Sequence, residues 1–171
     1  MPKHPPIEET HSHLKGFFEF LEDFNKETDR GAALAAAAMV DDLVGETVEA
    51  FLIDNKGRSE LLSGFNAPLG TFAARCAAAF ALGLISEREF QECALIRRVR
   101  NEFAHQVKVS FETDKVVGLC SQLTMAAPDY GDVRVGTRGR FTTAVVALIL
   151  NMTNRPHYVA KQRLSYSDWP H

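Results

Sequence analysis

Apolar residues return every three or four positions along most of the chain, the spacing that gathers them on one side of an α-helix. Over 10–26, Leu14, Phe17, Phe18, Leu21 and Phe24 predict an amphipathic helix whose aromatic face needs a partner surface. A second helix is predicted over 29–53, with Leu34, Ala37, Ala38, Gly45, Val48 and Leu52 on one face. Asp41 falls in the middle of that face, seven residues from both Leu34 and Val48. The stretch 54–70 is rich in turn formers and reads as a loop with one helical turn at 59–62. Asn66 or Ala67, just ahead of Pro68, opens a third helix to about residue 82, since proline is tolerated where its missing N–H is not needed. Its many alanines leave small residues on several sides, which predicts a central position. Gly83 ends it, and Ser86 begins a fourth helix almost at once.

That fourth helix, 86–105, has the clearest local signals. Ser86 and Glu89 form a capping box, in which each side chain satisfies an orphaned backbone N–H of the other. Phe90, Ile96, Val99 and Phe103 make an apolar stripe, while Arg97, Arg98, Asn101 and His105 fall elsewhere. Beyond it, VKVSFET alternates apolar and polar and predicts an extended piece or an irregular loop, followed by a short helix over 113–123. A glycine- and proline-containing loop leads to a last helix starting near Thr137 or Arg140, with Phe141, Val145, Leu148, Ile149 and Met152 as its core stripe and Pro156 kinking or ending it. The sum is an all-α fold, a compact bundle of five to seven helices. It forms a single domain over 10–164, flanked by a flexible N-terminal arm at 1–9 and an irregular tail at 165–171. Trp169 in that tail is a candidate dimer contact.

Composition narrows the function. The 171 residues suffice for one well-buried core. A net charge of −3 requires any nucleic-acid contact to come from a local patch, because the molecule as a whole repels phosphate. Cys76, Cys93 and Cys120 are an odd number without C-x-x-C spacing, so neither a disulfide framework nor a zinc site is expected. His4, His11 and His13 lack a carboxylate or cysteine at ligand spacing, and no metal or other cofactor is expected. No stretch approaches the roughly 18 apolar residues of a membrane span, and the first residues have no signal-like apolar core. A cytoplasmic protein without a membrane partner is the expectation.

Two positions carry candidate chemistry. Asp41 on an apolar face should meet a cation or backbone donors, or border a wet pocket, because an unpaired buried carboxylate is costly. Arg75 is the only charge on the third helix, and a pocket lined by Asp41, Arg75 and the arginines of the fourth helix is one possible binding site, with Arg97 and Arg98 as binding residues. The bland assignment of the same residues is surface pairing, such as Arg98 with Glu102, and capping of the helix C-terminus by His105.

The run from about residue 58 to 105 resembles the mannitol operon repressor (MltR) family. The likeness rests on Leu61-Leu62, Gly64, Pro68-Leu69-Gly70, Arg75, the element Ala81-Leu82-Gly83-Leu84-Ile85 and the acidic segment after it. It implies a helical regulator of transcription, a repressor that works through protein partners in transcription or sugar-transport regulation and not through a DNA-binding motif of its own. Nothing in the chain points to mannitol.

Arg100, Asn101 and His105 also look like the Arg-polar-x-x-x-His motif of HEPN ribonucleases, helical dimers that cleave RNA without a metal. Many relatives of the repressor keep only part of that motif. By this resemblance the catalytic residues are Arg100, which stabilises charge on the phosphoryl group, Asn101, which orients the site, and His105, which exchanges protons with the ribose hydroxyl or the leaving oxygen. RNA is then the partner, and the chain is a homodimer. Five residues along a straight helix set Arg100 and His105 about 140° apart, so they converge only if the helix unwinds near Ala104 or a twin chain supplies one of them.

Overall fold

The computed structural model describes residues 14–170. Among them are eight helices: α1 (Lys15–Lys26), α2 (Asp29–Phe51), α3 (Lys56–Leu62), α4 (Phe72–Ala81), α5 (Glu87–His105), α6 (Asp114–Cys120), α7 (Thr137–Thr153) and α8 (Arg155–Ala160). Only Asn154 separates the last two, so they make seven rods if the kinked pair is counted once. No strand occurs among the described residues, and the fold is the expected all-α bundle. The expected arm at 1–9, with its His4, and residues 10–13 of the first expected helix lie outside the described residues.

The centre of the bundle is α2. It packs against α5, α8, α4 and α7, and more lightly against α1. Its long run of alanine makes this possible: Ala32, Ala33, Ala36 and Ala37 are buried and let several neighbours approach closely. Val40, Leu43, Val44 and Val48 continue the buried side, and the one buried hydroxyl, Thr47, donates to the Leu43 carbonyl at 2.7 Å. The central position therefore belongs to α2 and not to α4, of which only Cys76 and Ala79 are buried.

Helix ends follow the side-chain chemistry available. Thr28 accepts from the Gly31 N–H and opens α2. Asn55 does the same for the Arg58 N–H, and the expected single turn at 59–62 is a full short helix starting at Lys56. The expected start of the next helix at Pro68 is corrected, because Asn66 has φ +64°, which a right-handed helix cannot contain, and the Leu69 N–H is taken by the Leu61 carbonyl at 2.8 Å. Thr71 supplies the cap, accepting from the Ala74 N–H, so α4 begins at Phe72. It ends in a Schellman motif, with the Leu84 N–H donating to the Ala79 carbonyl and the Gly83 N–H to Phe80, and Gly83 at φ +70°.

The capping box of Ser86 and Glu89 is present at the start of α5, whose buried side is Cys93, Leu95, Ile96, Val99 and Phe103. After α5 the segment VKVSFET forms turns. It drops Phe111 into the core between Phe103 and Phe141, with ring centroids 5.0 and 5.2 Å away. The expected stripe of Phe141, Val145, Leu148, Ile149 and Met152 on α7 is wholly buried. Residues 163–170 have no regular structure, and Trp169 is 76% exposed.

Candidate functional site

A cleft of about 740 Å³ opens where α2, α4 and α5 meet. Successive turns of α2 contribute Leu34, Ala37, Ala38 and Asp41, the first turn of α4 with its cap contributes Thr71, Phe72 and Ala73, and α5 contributes Arg97, Arg100 and Asn101. The first part of the expected face of α2, from Leu34 to Asp41, is thus a cleft wall, whereas Val48 farther along it is buried in the core. The core lies on the neighbouring side of the same helix, and the alanines of the run serve both.

Asp41 both meets a cation and borders a pocket. Its Oδ1 accepts from Arg75 Nη1 at 2.9 Å, and Arg75 Nε donates to the Leu69 carbonyl at 3.0 Å. Both side chains are mostly sheltered, at 26% and 21% exposed, so the pair is held in place by more than one bond. Arg100 Nη1 donates to Asn101 Oδ1 at 3.1 Å. Arg97 and Arg100 have no carboxylate partner among the described residues. With Asp41 balanced by Arg75, the cleft carries two uncompensated positive charges beside a wall of Leu34, Ala38 and Phe72.

The remaining candidates lie elsewhere. Arg98 borders a shallower hollow of about 270 Å³ with Gln91, Ala94, Leu95 and Gln122. Its expected partner Glu102 instead pairs with Lys115 of α6 at 2.7 Å. His105 is exposed and is not the cap of α5. That place is taken by Arg30 of α2, whose guanidinium donates to the Phe103, Gln106 and Val107 carbonyls, at 2.7 Å for Gln106. An arginine there matches the negative end of the helix dipole and satisfies carbonyls left without intrahelical donors. The helix runs unbroken through Ala104, and the Gln106 N–H donates to the Glu102 carbonyl at 3.0 Å. Arg100 and His105 accordingly stay on different sides of one rod, and a single chain does not bring them together.

Sequence reasoning missed Leu34 and Phe72 as cleft residues and Arg30 as the cap of α5. The signal for Leu34 was that apolar residues on α2 cover too wide an arc for one interface. For Arg30, a contact across 73 residues of chain leaves no mark on local spacing. Among the described residues no group of three or more His, Cys, Asp or Glu could hold a metal ion, and no helix is long and apolar enough to cross a membrane.

No protein-family model matches the chain, and no curated protein sequence matches it. The solved structures supply a match in the X-ray structure of the MtlR–HPr complex from Escherichia coli, with a TM-score of 0.60 at 20% identity, covering 84% of this chain and 97% of that one. The chain has an MtlR-like fold. Nearly the whole of the matched chain is reproduced, so the likeness is one of complete architecture and extends well beyond the stretch from 58 to 105 that carries the resemblance in sequence. The MtlR-like bundle in this chain places Arg97 and Arg100 in the cleft and Arg98 on another flank of α5.

Proposed function

We propose that this chain is a cytoplasmic regulator of transcription, a repressor in sugar-transport control, that acts by holding a protein partner against the flank of α5 that carries Arg98. The observation that carries this reading is that Arg98, exposed on the flank of α5 away from the cleft, has no ion pair to any described carboxylate, in a protein whose arginines outside α5 are largely engaged. A guanidinium group without a carboxylate partner on a rigid, capped helix is suited to an acidic protein surface, since its side chain is available for forked hydrogen bonds and the backbone beneath it is fixed. MtlR of the same fold was solved in complex with HPr, which supports a protein as the partner class.

The test is affinity capture with the wild-type chain and with Arg98→Glu, which reverses a charge outside the cleft. A transcription or sugar-transport component is recovered by the first and lost by the second, and deletion of the gene changes expression of a transport operon. Recovery of no such component, with expression unaltered, overturns the reading.

Exposed His105 supports a second reading, a metal-independent endoribonuclease assembled by a homodimer, in which Arg100 of one chain meets His105 of its twin. Purified protein should then cleave mixed RNA in chelator, and His105→Ala should abolish cleavage without unfolding. Intact RNA across neutral and mildly acidic pH ends that reading.

A further inference from the structure

We propose that the cleft between α2, α4 and α5 binds a small amphiphilic organic anion, whose carboxylate or phosphate head sits at Arg97, Arg100 and Asn101 and whose apolar body lies along Leu34, Ala38 and Phe72. The volume, about 740 Å³, lies in the range of sites that enclose a small organic molecule. The lining is divided in the manner such sites require, with a mostly apolar wall from α2 and α4, interrupted by Asp41 and Thr71, and Arg97, Arg100 and Asn101 from α5.

Arg97 and Arg100 are three residues apart on one helix, which sets their stems on the same face about 5–6 Å apart. Both have donors to spare, because neither is engaged by a carboxylate among the described residues. Asn101 lies one turn beyond Arg97; its carbonyl accepts from Arg100, which leaves the amide N–H groups to donate to an oxyanion. The anion is selected over a cation by those charges, and Asp41 does not cancel them because Arg75 is bonded to it. The apolar body is selected by surface that the fold leaves wet at a cost. Leu34 is 37% exposed although it sits in a concavity, and Phe72 at the mouth of α4 is only partly covered.

This site stands independently of partner docking, and its test contains no partner protein. Titration calorimetry on the full chain uses four probes: octanoate, octyl phosphate, octanol and inorganic phosphate, each below any micelle concentration. Octanoate or octyl phosphate binds saturably with one site per chain, and the tighter of the two identifies the head group. Octanol and inorganic phosphate bind at least about tenfold more weakly, because each offers half of the recognition. Arg97→Ala and Arg100→Ala each weaken the amphiphilic anion about tenfold or more, the loss expected for a charge-assisted hydrogen bond. Arg98→Ala, outside the cleft, leaves binding unchanged. Circular dichroism of the variants matches wild type, since neither cleft arginine holds an ion pair within the fold. Octanol binding as tightly as octanoate, or anion binding that survives both cleft variants, or no saturable binding by either amphiphilic anion, overturns the proposal.

Discussion

Arg155, at the start of α8, grips Glu89 of α5 with both ends of its guanidinium, Nη2 to Oε1 at 2.7 Å and Nη1 to Oε2 at 3.2 Å. The same carboxylate accepts the Ser86 N–H at 2.8 Å, so one side chain serves the capping box and ties the end of the chain to the helix that carries the candidate site. Burial works to raise the Glu89 pKa. The bonds from Arg155 and Ser86 together outweigh it and hold the carboxyl below its ordinary value.

A depressed folded-state pKa means that this stabilisation is complete above the ordinary carboxylate range and is lost as pH falls through the lower, folded value. Glu89→Gln should therefore cost about 2 kcal/mol at pH 7, less than a fully buried pair because Arg155 is partly exposed. The gap between variant and wild type should shrink as the medium is acidified below the ordinary carboxylate pKa. Urea denaturation at a series of pH values measures it. A gap constant down to strongly acidic pH would contradict the assignment.

Glu92 is another buried carboxylate on α5, and it anchors the loop after α6. Its Oε1 accepts from the Thr124 N–H, the Thr124 hydroxyl at 2.8 Å and the Met125 N–H at 3.3 Å, while Oε2 is buried without a partner among the described residues. Glu92→Gln keeps the accepting oxygen and the shape of the side chain, so it should change stability by less than about 1 kcal/mol. Glu92→Ala strips three donors of their acceptor and should cost about 2–4 kcal/mol. Thermal or chemical unfolding of the two variants separates these outcomes.

The thiols should be inert in the native protein. Burial pushes Cys120 up to about 12, and Cys93 is raised by the neighbouring Cys76 thiol and by burial. All three cysteines are buried. A colourimetric thiol reagent at pH 8 should find none of them in minutes on the native chain and all three after denaturation. Rapid native labelling would show that the helix carrying the labelled thiol, α4, α5 or α6, opens locally.

At the cleft, Asp41→Asn should cost about 1 kcal/mol in stability, in keeping with a partly sheltered ion pair. It also releases Arg75 and raises the positive charge beside Arg97 and Arg100. Octanoate or octyl phosphate affinity should rise severalfold, and the rise should shrink with added salt. Calorimetry at low and high ionic strength reads both effects.

How much of this was legible in the sequence follows the range of the interactions. The capping box at Ser86, the stop at Gly83 and the stripe of α7 are local, and spacing alone reveals them. The start of α4 was misplaced because Pro68 is tolerated in a first helical turn and so reads locally as an opening. The choice was made by the left-handed Asn66 and by the bond from Leu69 back to Leu61, which depend on how the loop closes. The central helix was misassigned between two alanine-rich candidates, since alanine permits close packing without dictating where the neighbours come from. For the site, Asp41 announced itself as a charge on an apolar face that needed a cation, and the structure supplies Arg75. The separation of Arg98 from Arg97 and Arg100 required knowing which flank of α5 the rest of the molecule covers.

The alanines of α2 also bear on how the hollow could diverge between relatives. Ala38 lines it yet is exposed to solvent, so a bulkier residue there would narrow the chamber from inside. Ala37, 4% exposed, has no such latitude. Selectivity for the length of an occupant can thus be retuned at one position while the architecture of the bundle is left intact.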